Sequence, residues 1–304
     1  MCFFWGGENM KKWLLGMTLF VGLLLGVLYF GYAEMMAGKD FISVEDMTPL
    51  ELELVYQGLK PDGVGSVQSM AILPDAFAIA ARPRGSARQG GETNNQLILI
   101  NRETLMPTND AQESYELGHA NGMTYDKKRN RLVVVGIRDK DGIKKMVARI
   151  DARTFREEPQ LMLDDFGASG IASLPDGGYV IRSAGKMSFL DEDFVPTGET
   201  LNFCSGLTVQ DIAYTNGAVF LADWTRRDWS LKIRKMGLKN NQNVIYRLRR
   251  DGGEVEAFLI DEPRLELESL DFADDECYVL MNGIGAEQDW FFIYRVKNSE
   301  TLIK

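Results

Sequence analysis

Five times along this chain a short apolar run, a tight polar turn and a second run rich in β-branched and apolar residues follow one another. The copies read "QSMAILPDAFAIAAR" from Gln68, "NGMTYDKKRNRLVVVG" from Asn121, "SGIASLPDGGYVIRS" from Ser169, "QDIAYTNGAVFLAD" from Gln210 and "ESLDFADDECYVLMN" from Glu268. Their starts are 53, 48, 41 and 58 residues apart, close to the length of one four-stranded propeller blade. A third run follows each copy and ends in a polar turn, as in "NQLILINRETL", "KMVARIDARTF", "KMSFLDEDF", "NVIYRLRRDGG" and "WFFIYRVKN". Pro74-Asp75, Pro175-Asp176-Gly177-Gly178, Asn216-Gly217 and Asp251-Gly252-Gly253 supply hairpin-turn chemistry between the runs. Beyond residue 33 no long amphipathic helical period interrupts them, so the pattern predicts an all-β fold.

The two ends of the repeat array sharpen this. The last copy stops after its third run, at Val296, whereas "ELELVYQGL" (residues 51–59) is an orphan strand ahead of the first copy. A closed ring uses the orphan as the fourth strand of the last blade and so hides two exposed edges. The expectation is a five-bladed β-propeller over residues 51–304. A six-bladed ring with one degenerate blade is the alternative, and it needs more residues than the spacings offer.

Ahead of the ring, residues 13–33 ("WLLGMTLFVGLLLGVLYFGYA") contain no charged residue. As a helix such a stretch covers about 30 Å, the hydrocarbon thickness of a bilayer. Lys11 and Lys12 precede it and Glu34 follows. The positive-inside bias therefore predicts a cytoplasmic tail (1–12), a transmembrane anchor (13–33), a linker (34–50) and a propeller outside the cytoplasm. The competing reading is a signal peptide cleaved after Gly31-Tyr32-Ala33, which would secrete the domain. Met10, followed by two lysines, is an alternative start.

Composition then limits the partners. The chain of 304 residues carries a formal charge of -10, which argues against nucleic acid as a ligand and requires any anion site to be local. Its three cysteines, Cys2, Cys204 and Cys277, are expected as free thiols. The alignment puts Cys204 and Cys277 at opposite ends of neighbouring blades, too far apart for a disulfide.

Aligned on the first apolar residue of each inner strand, the position two before it is Gln68, Asn121, Ser169, Gln210 or Glu268, polar in all five copies. These residues predict a polar ring at the channel mouth. The position between is small in four copies, and Asp211 in the fifth. Such a ring either is solvated and satisfies strand-end backbone groups, or holds a hard cation such as calcium through Asn121, Asp211 and Glu268. No other cofactor is expected.

The loops between second and third strands emerge on the same face. They carry Arg82, Arg84 and Arg88, then Arg138, Lys140, Lys144 and Lys145, then Arg182 and Lys186, and finally Arg226, Arg227, Lys232, Arg234, Lys235 and Lys239. Against these fifteen basic residues stand four acidic ones, Glu92, Asp139, Asp141 and Asp228. A basic face on an acidic body steers an anionic partner to one surface; the bland alternative is ordinary solvated charge. Trp224 and Trp229 flank the arginines of the longest loop, where they suit either sugar stacking or packing of the loop on its own blade. Because the orphan strand comes in from the opposite side, the basic face is expected to point away from the membrane.

The blade rhythm in "LPDGGYVI" and "GHANGMTYD" resembles that of extracytoplasmic propellers of the NHL-like and SMP-30/lactonase-like kind. The resemblance implies either a non-catalytic binding module or a lactonase with a divalent metal on the axis, and fold alone does not choose. His119, the chain's one histidine, falls in the loop leading into the second blade. The preferred reading is a membrane-tethered binding or scaffold module that engages an anionic glycan, an envelope polymer or an acidic protein surface. Its ligand residues are Arg82, Arg84, Arg138, Lys144, Arg182, Trp224, Arg226, Arg227, Trp229, Arg234 and Lys235. The alternative is a metal-dependent lactonase or phosphodiesterase with His119 as general base. A redox quinoprotein has only superfamily shape behind it.

Overall fold

A computed structural model describes residues 46–84, 95–108, 111, 114–137, 146–163, 167–183, 185–202, 207, 209–224 and 242–303. The chain opens with β1 (Thr48–Pro49) and β2 (Leu52–Leu59). Blade 1 comprises β3 (Val64–Ile72), β4 (Ala76–Pro83), β5 (Gln96–Asn101) and β6 (Pro107–Thr108). Blade 2 comprises β7 (Gly122–Asp126), β8 (Arg131–Ile137), β9 (Met146–Asp151) and β10 (Leu161–Met162). Blade 3 is built from β11 (Gly170–Ser173), β12 (Tyr179–Ser183), β13 (Lys186–Leu190) and β14 (Pro196–Asn202). Blade 4 is built from β15 (Val209–Thr215), β16 (Ala218–Asp223), β17 (Asn243–Arg249) and β18 (Glu256–Ile260). Blade 5 takes β19 (Leu265–Ala273), β20 (Glu276–Gly283) and β21 (Trp290–Val296), and β2 pairs antiparallel with β21 as its fourth strand. The ring is thus a five-bladed propeller closed by the orphan strand.

Two features depart from the sequence expectation. Inside the stretch read as linker, β1 pairs in parallel with β18 and adds a fifth strand to blade 4. Since the strands of a blade alternate in direction and β15 starts at the mouth face, β1, parallel to β18, runs toward the mouth. A five-residue helix, α1 (Ser299–Ile303), follows the last strand, and its Leu302 is fully buried. No helix among the described residues is long and apolar enough to cross a membrane; residues 13–33 lie outside them.

The second strand of each blade reads as a nearly unbroken apolar run because both of its faces are covered. Along β4, Phe77, Ile79 and Ala81 pack toward blade 5, whereas Ala76, Ala78 and Ala80 pack toward blade 2. Along β8, Leu132 and Val134 face blade 1 while Val133 and Val135 face blade 3. Along β20, Cys277, Val279 and Met281 face blade 4 and Tyr278 and Leu280 face blade 1. The period-2 geometry of a strand delivers alternate side chains to two separate cores. Each large apolar side chain so buried contributes roughly 1.5–3 kcal/mol. Cys277 is a free, buried thiol whose pKa burial raises; Cys2 and Cys204 lie outside the described residues.

The face opposite the mouth is held by local turns. Asn101 Oδ1 accepts hydrogen bonds from the Glu103 and Thr104 N–H groups and the Thr104 hydroxyl. Asp151 Oδ1 accepts the same three from Arg153 and Thr154. The two turns share the reading "N/D-x-x-T-apolar", and in both the apolar residue, Leu105 or Phe155, has positive φ. Asn216-Gly217, both at positive φ, form the two-residue hairpin turn their sequence predicts.

Candidate functional site

At the mouth face the chain departs from regular pairing at the positions the repeat alignment singles out. The register of the inner strands skips one residue between Val67 and Ser69, between Val209 and Asp211, and between Leu267 and Ser269. The bulged residues are Gln68, Gln210 and Glu268. A bulge adds an unpaired residue and re-aims its side chain, so three of the five ring residues are turned out of the ladder at one level. Asn121 and Ser169 immediately precede β7 and β11. The sequence signal is the repeated apolar-polar-polar-apolar quartet in "VQSM", "VQDI" and "LESL", where strict alternation fails by one residue.

The side chains of Gln68, Ser169, Gln210 and Glu268 have protein partners. Gln68 donates to Ser66 Oγ and to the Val67 carbonyl. Gln210 donates to Glu266, and Glu268 accepts from Asn282 Nδ2. Ser169 Oγ accepts from Arg182 Nη1 at 2.8 Å. Burial, reinforced by the charge of Glu266, pushes the Glu268 carboxyl well above the usual carboxylate range, while Asn282, Lys60 and Arg82 oppose the rise. Burial also lowers the pKa of Lys60, whose ammonium donates to the Gln288 carbonyl.

The basic residues of the mouth divide into different roles. Arg82 lies against the imidazole of His119, its Nη1 3.1 Å from each ring nitrogen. Arg182 spans from blade 3 to blade 4, reaching the Val209 carbonyl at 3.5 Å, and burial lowers its pKa against the opposing charge of Asp223. Arg84 is an exposed partner of Asp289 at 3.0 Å, so it ties blade 1 to blade 5 at the rim. Trp224 directly follows β16 and is partly buried. Arg138, Lys144, Arg226, Arg227, Trp229, Arg234 and Lys235 lie outside the described residues.

Below the ring the axis is plugged. Asp211 is fully buried; its Oδ2 accepts the Ser269 hydroxyl at 2.6 Å and its Oδ1 the Ile212 N–H at 2.8 Å. The Met123 N–H is a further donor, and burial nonetheless drives its pKa well up. The carboxylate reaches across the axis because Gly122 leaves room: a Cβ there would lie 2.9 Å from Asp211 Oδ1 and 2.7 Å from Gly170 Cα. Both Asp211 carboxylate oxygens thus accept hydrogen bonds from protein donors. Among the described residues no group of three His, Cys, Asp or Glu side chains is placed to hold a metal ion.

Sequence reasoning missed the asparagines that stitch this face. Asn282 clasps the Val67 N–H and carbonyl of blade 1. Asn95 does the same for the Leu117 N–H and Gly118 carbonyl leading into blade 2. Asn243 binds the Leu267 N–H and Leu265 carbonyl of blade 5. Asn95 and Asn243 both sit where a third strand begins, a recurrence that comparison of third strands alone could have found.

No family model matches the chain, and no curated protein matches it. Among solved structures it is similar to a variant exo-β-1,3-galactanase from Phanerochaete chrysosporium bound to β-1,3-galactotriose, with a TM-score of 0.51 and 11% identity. The alignment covers 81% of this chain and 65% of that one. At this identity the likeness concerns the fold, and it places the chain among five-bladed propellers.

Proposed function

We propose that the chain is an extracytoplasmic binding module, tethered through residues 13–33, whose mouth face captures an anionic glycan or envelope polymer. The observation that carries this reading is the ring of bulges, which turns Gln68, Gln210 and Glu268 toward one mouth beside Arg82 and Arg182. Bulges recur next to binding and active sites because they re-aim side chains at the expense of regular pairing. The strands that lead into the basic loops, β4, β8, β12 and β16, end on this same face. A propeller that acts on a galactan is compatible with a glycan as ligand. The blade rhythm that resembles NHL-like proteins fits the same non-catalytic role.

The test is binding of polygalacturonate, with neutral dextran as control, to the full chain and to a variant with Arg226, Arg227, Arg234 and Lys235 all changed to Glu. Saturable binding that weakens with salt and falls at least about tenfold in the variant is expected. Unchanged affinity would sink the basic-face reading. His119→Ala should leave binding nearly intact.

A second reading, hydrolysis, is favoured by one observation: Glu268 is a buried carboxyl whose pKa is raised by burial and by a second carboxyl, Glu266, the direction in which a general acid is tuned. Turnover of a glycoside, lactone or phosphodiester that Glu268→Gln abolishes would establish it.

A further inference from the structure

On the face opposite the mouth lies a cavity of about 340 Å³, within the size range of small-ligand sites, about 300–1,000 Å³. It forms where the two turns of blade 3 that follow β11 and β13 meet the β7–β8 turn of blade 2 and the β17–β18 turn of blade 4. We propose that this cavity binds an uncharged sugar, a mono- or disaccharide.

The lining disfavours anionic ligands. Its two cations are already committed. Lys128 Nζ lies 3.1 Å from Glu192 and 3.4 Å from the Asp176 carbonyl, so its charge is paired while one of its three N–H donors remains for a ligand. Arg250 holds Glu199 through two hydrogen bonds of 2.8 and 2.6 Å and stacks over the Phe189 ring at 4.4 Å. An anion entering the cavity therefore competes with carboxylates in place and meets Asp176 and Asp191 as well. An uncharged ligand rich in hydroxyls leaves these ion pairs undisturbed.

The polar groups are also of the kind hydroxyls need. Asp176 commits Oδ1 to the Gly178 N–H, and Asp191 commits Oδ1 to the Asp193 and Val195 N–H groups. Each turn is thereby fixed through one oxygen, and the second oxygen is left as an acceptor for a ligand hydroxyl. Thr197, on β14, donates its own hydroxyl to the Phe189 carbonyl and accepts the Glu199 N–H, which leaves one lone pair for a ligand. Leu174 and Leu190 supply an apolar floor suited to the C–H face of a sugar ring. This site shares no residue with the mouth.

The experiment is NMR titration of the full chain with galactose, glucose, N-acetylglucosamine and their β-linked disaccharides. Thr197→Trp, at an exposed wall position, fills the cavity; Lys128→Met removes a donor without adding bulk. At least one of these sugars should bind saturably, with affinity reduced about tenfold or more in both variants and unchanged in the mouth variant Arg82→Gln. If Thr197→Trp does not fold, Lys128→Met decides. Absence of saturable shifts for the whole panel, or binding that both cavity variants retain, overturns the proposal. Sugar binding lost in Arg82→Gln and kept in the cavity variants assigns it to the mouth instead.

Discussion

The two faces of the propeller are held together in different ways. Opposite the mouth, Asn101 and Asp151 tie their own turns within three residues, and the bonds between blades are partly exposed ion pairs such as Lys128–Glu192 and Arg250–Glu199. At the mouth the bonds run between blades, from Asn282 to Val67 and from Ser269 to Asp211, over sequence separations of 215 and 58 residues. A turn that satisfies itself survives the loss of its neighbours. The mouth side chains acquire partners only when the ring closes, so this face should be the more cooperative and the more sensitive to substitution.

The severest test of that difference is Gly122→Val. A Cβ at Gly122 already meets Gly170 Cα at 2.7 Å, and backbone cannot yield as a flexible side chain can. We expect no folded ring, read as loss of a cooperative thermal transition; a cooperative melt near that of the wild type would show that the inner strands can separate. Next in size is Asn282→Ala, which leaves the Val67 N–H and carbonyl buried without their partner and should cost about 2–3 kcal/mol in denaturant unfolding. The matched change opposite the mouth, Asn101→Ala, should cost only about 1 kcal/mol. Equal losses for this pair would erase the contrast between the faces.

A pH experiment probes the axis itself. Burial raises the Asp271 carboxyl to about 6, although the Ile72 and Phe272 N–H groups donate to it. A carboxyl whose folded pKa lies above its unfolded value of about 3.9 binds more protons in the folded state between those values. Stability from this group is therefore greatest at low pH and is lost as pH rises through 6. The melting temperature should be higher near pH 5 than near pH 7.5, and Asp271→Asn should shrink that difference. Glu268 and Asp211, raised in the same direction, account for what persists. Asp126 opposes this trend at more acidic pH, since its lowered pKa reflects bonds from Tyr179 and Arg129 that are lost on protonation.

The smallest effect concerns a turn that local rules do not favour. Asp274-Asp275 form a two-residue hairpin turn with both φ positive, 52° and 64°, where Asn216-Gly217 do so with a glycine in second place. Asp275→Gly should stabilise the ring by about 0.5–1 kcal/mol, measurable as a rise in the denaturation midpoint. No gain would mean that contacts of the Asp275 side chain outweigh its backbone strain.

Much of the architecture was legible in the residues. The repeat spacing located all five inner hairpins, and the unpaired run at 51–59 announced β2 as the closing strand. The polar ring was found as an alignment column, though its cause was hidden: in "VQSM" the doubled polar pair marks a bulge, and pairing reveals it. The asparagine clasps escaped notice because an asparagine at the end of a strand reads as an ordinary turn residue. Arg84 was grouped with the ligand residues because a loop arginine gives no sign of a partner 205 positions away.

What the sequence alone determined is therefore what repeats at short range: strand period, turn chemistry, blade count and the need for one early strand to close the ring. These follow from backbone sterics and from apolar side chains alternating between two buried faces, and both act over a few residues. The tertiary structure decided which polar side chains meet across the axis. It let Asp211 pass over a glycine in another blade, made Asn282 a clasp, and joined turns of three blades around a cavity. Such pairings depend on distances that exist only once five sheets share an axis, and no local pattern in the chain encodes them.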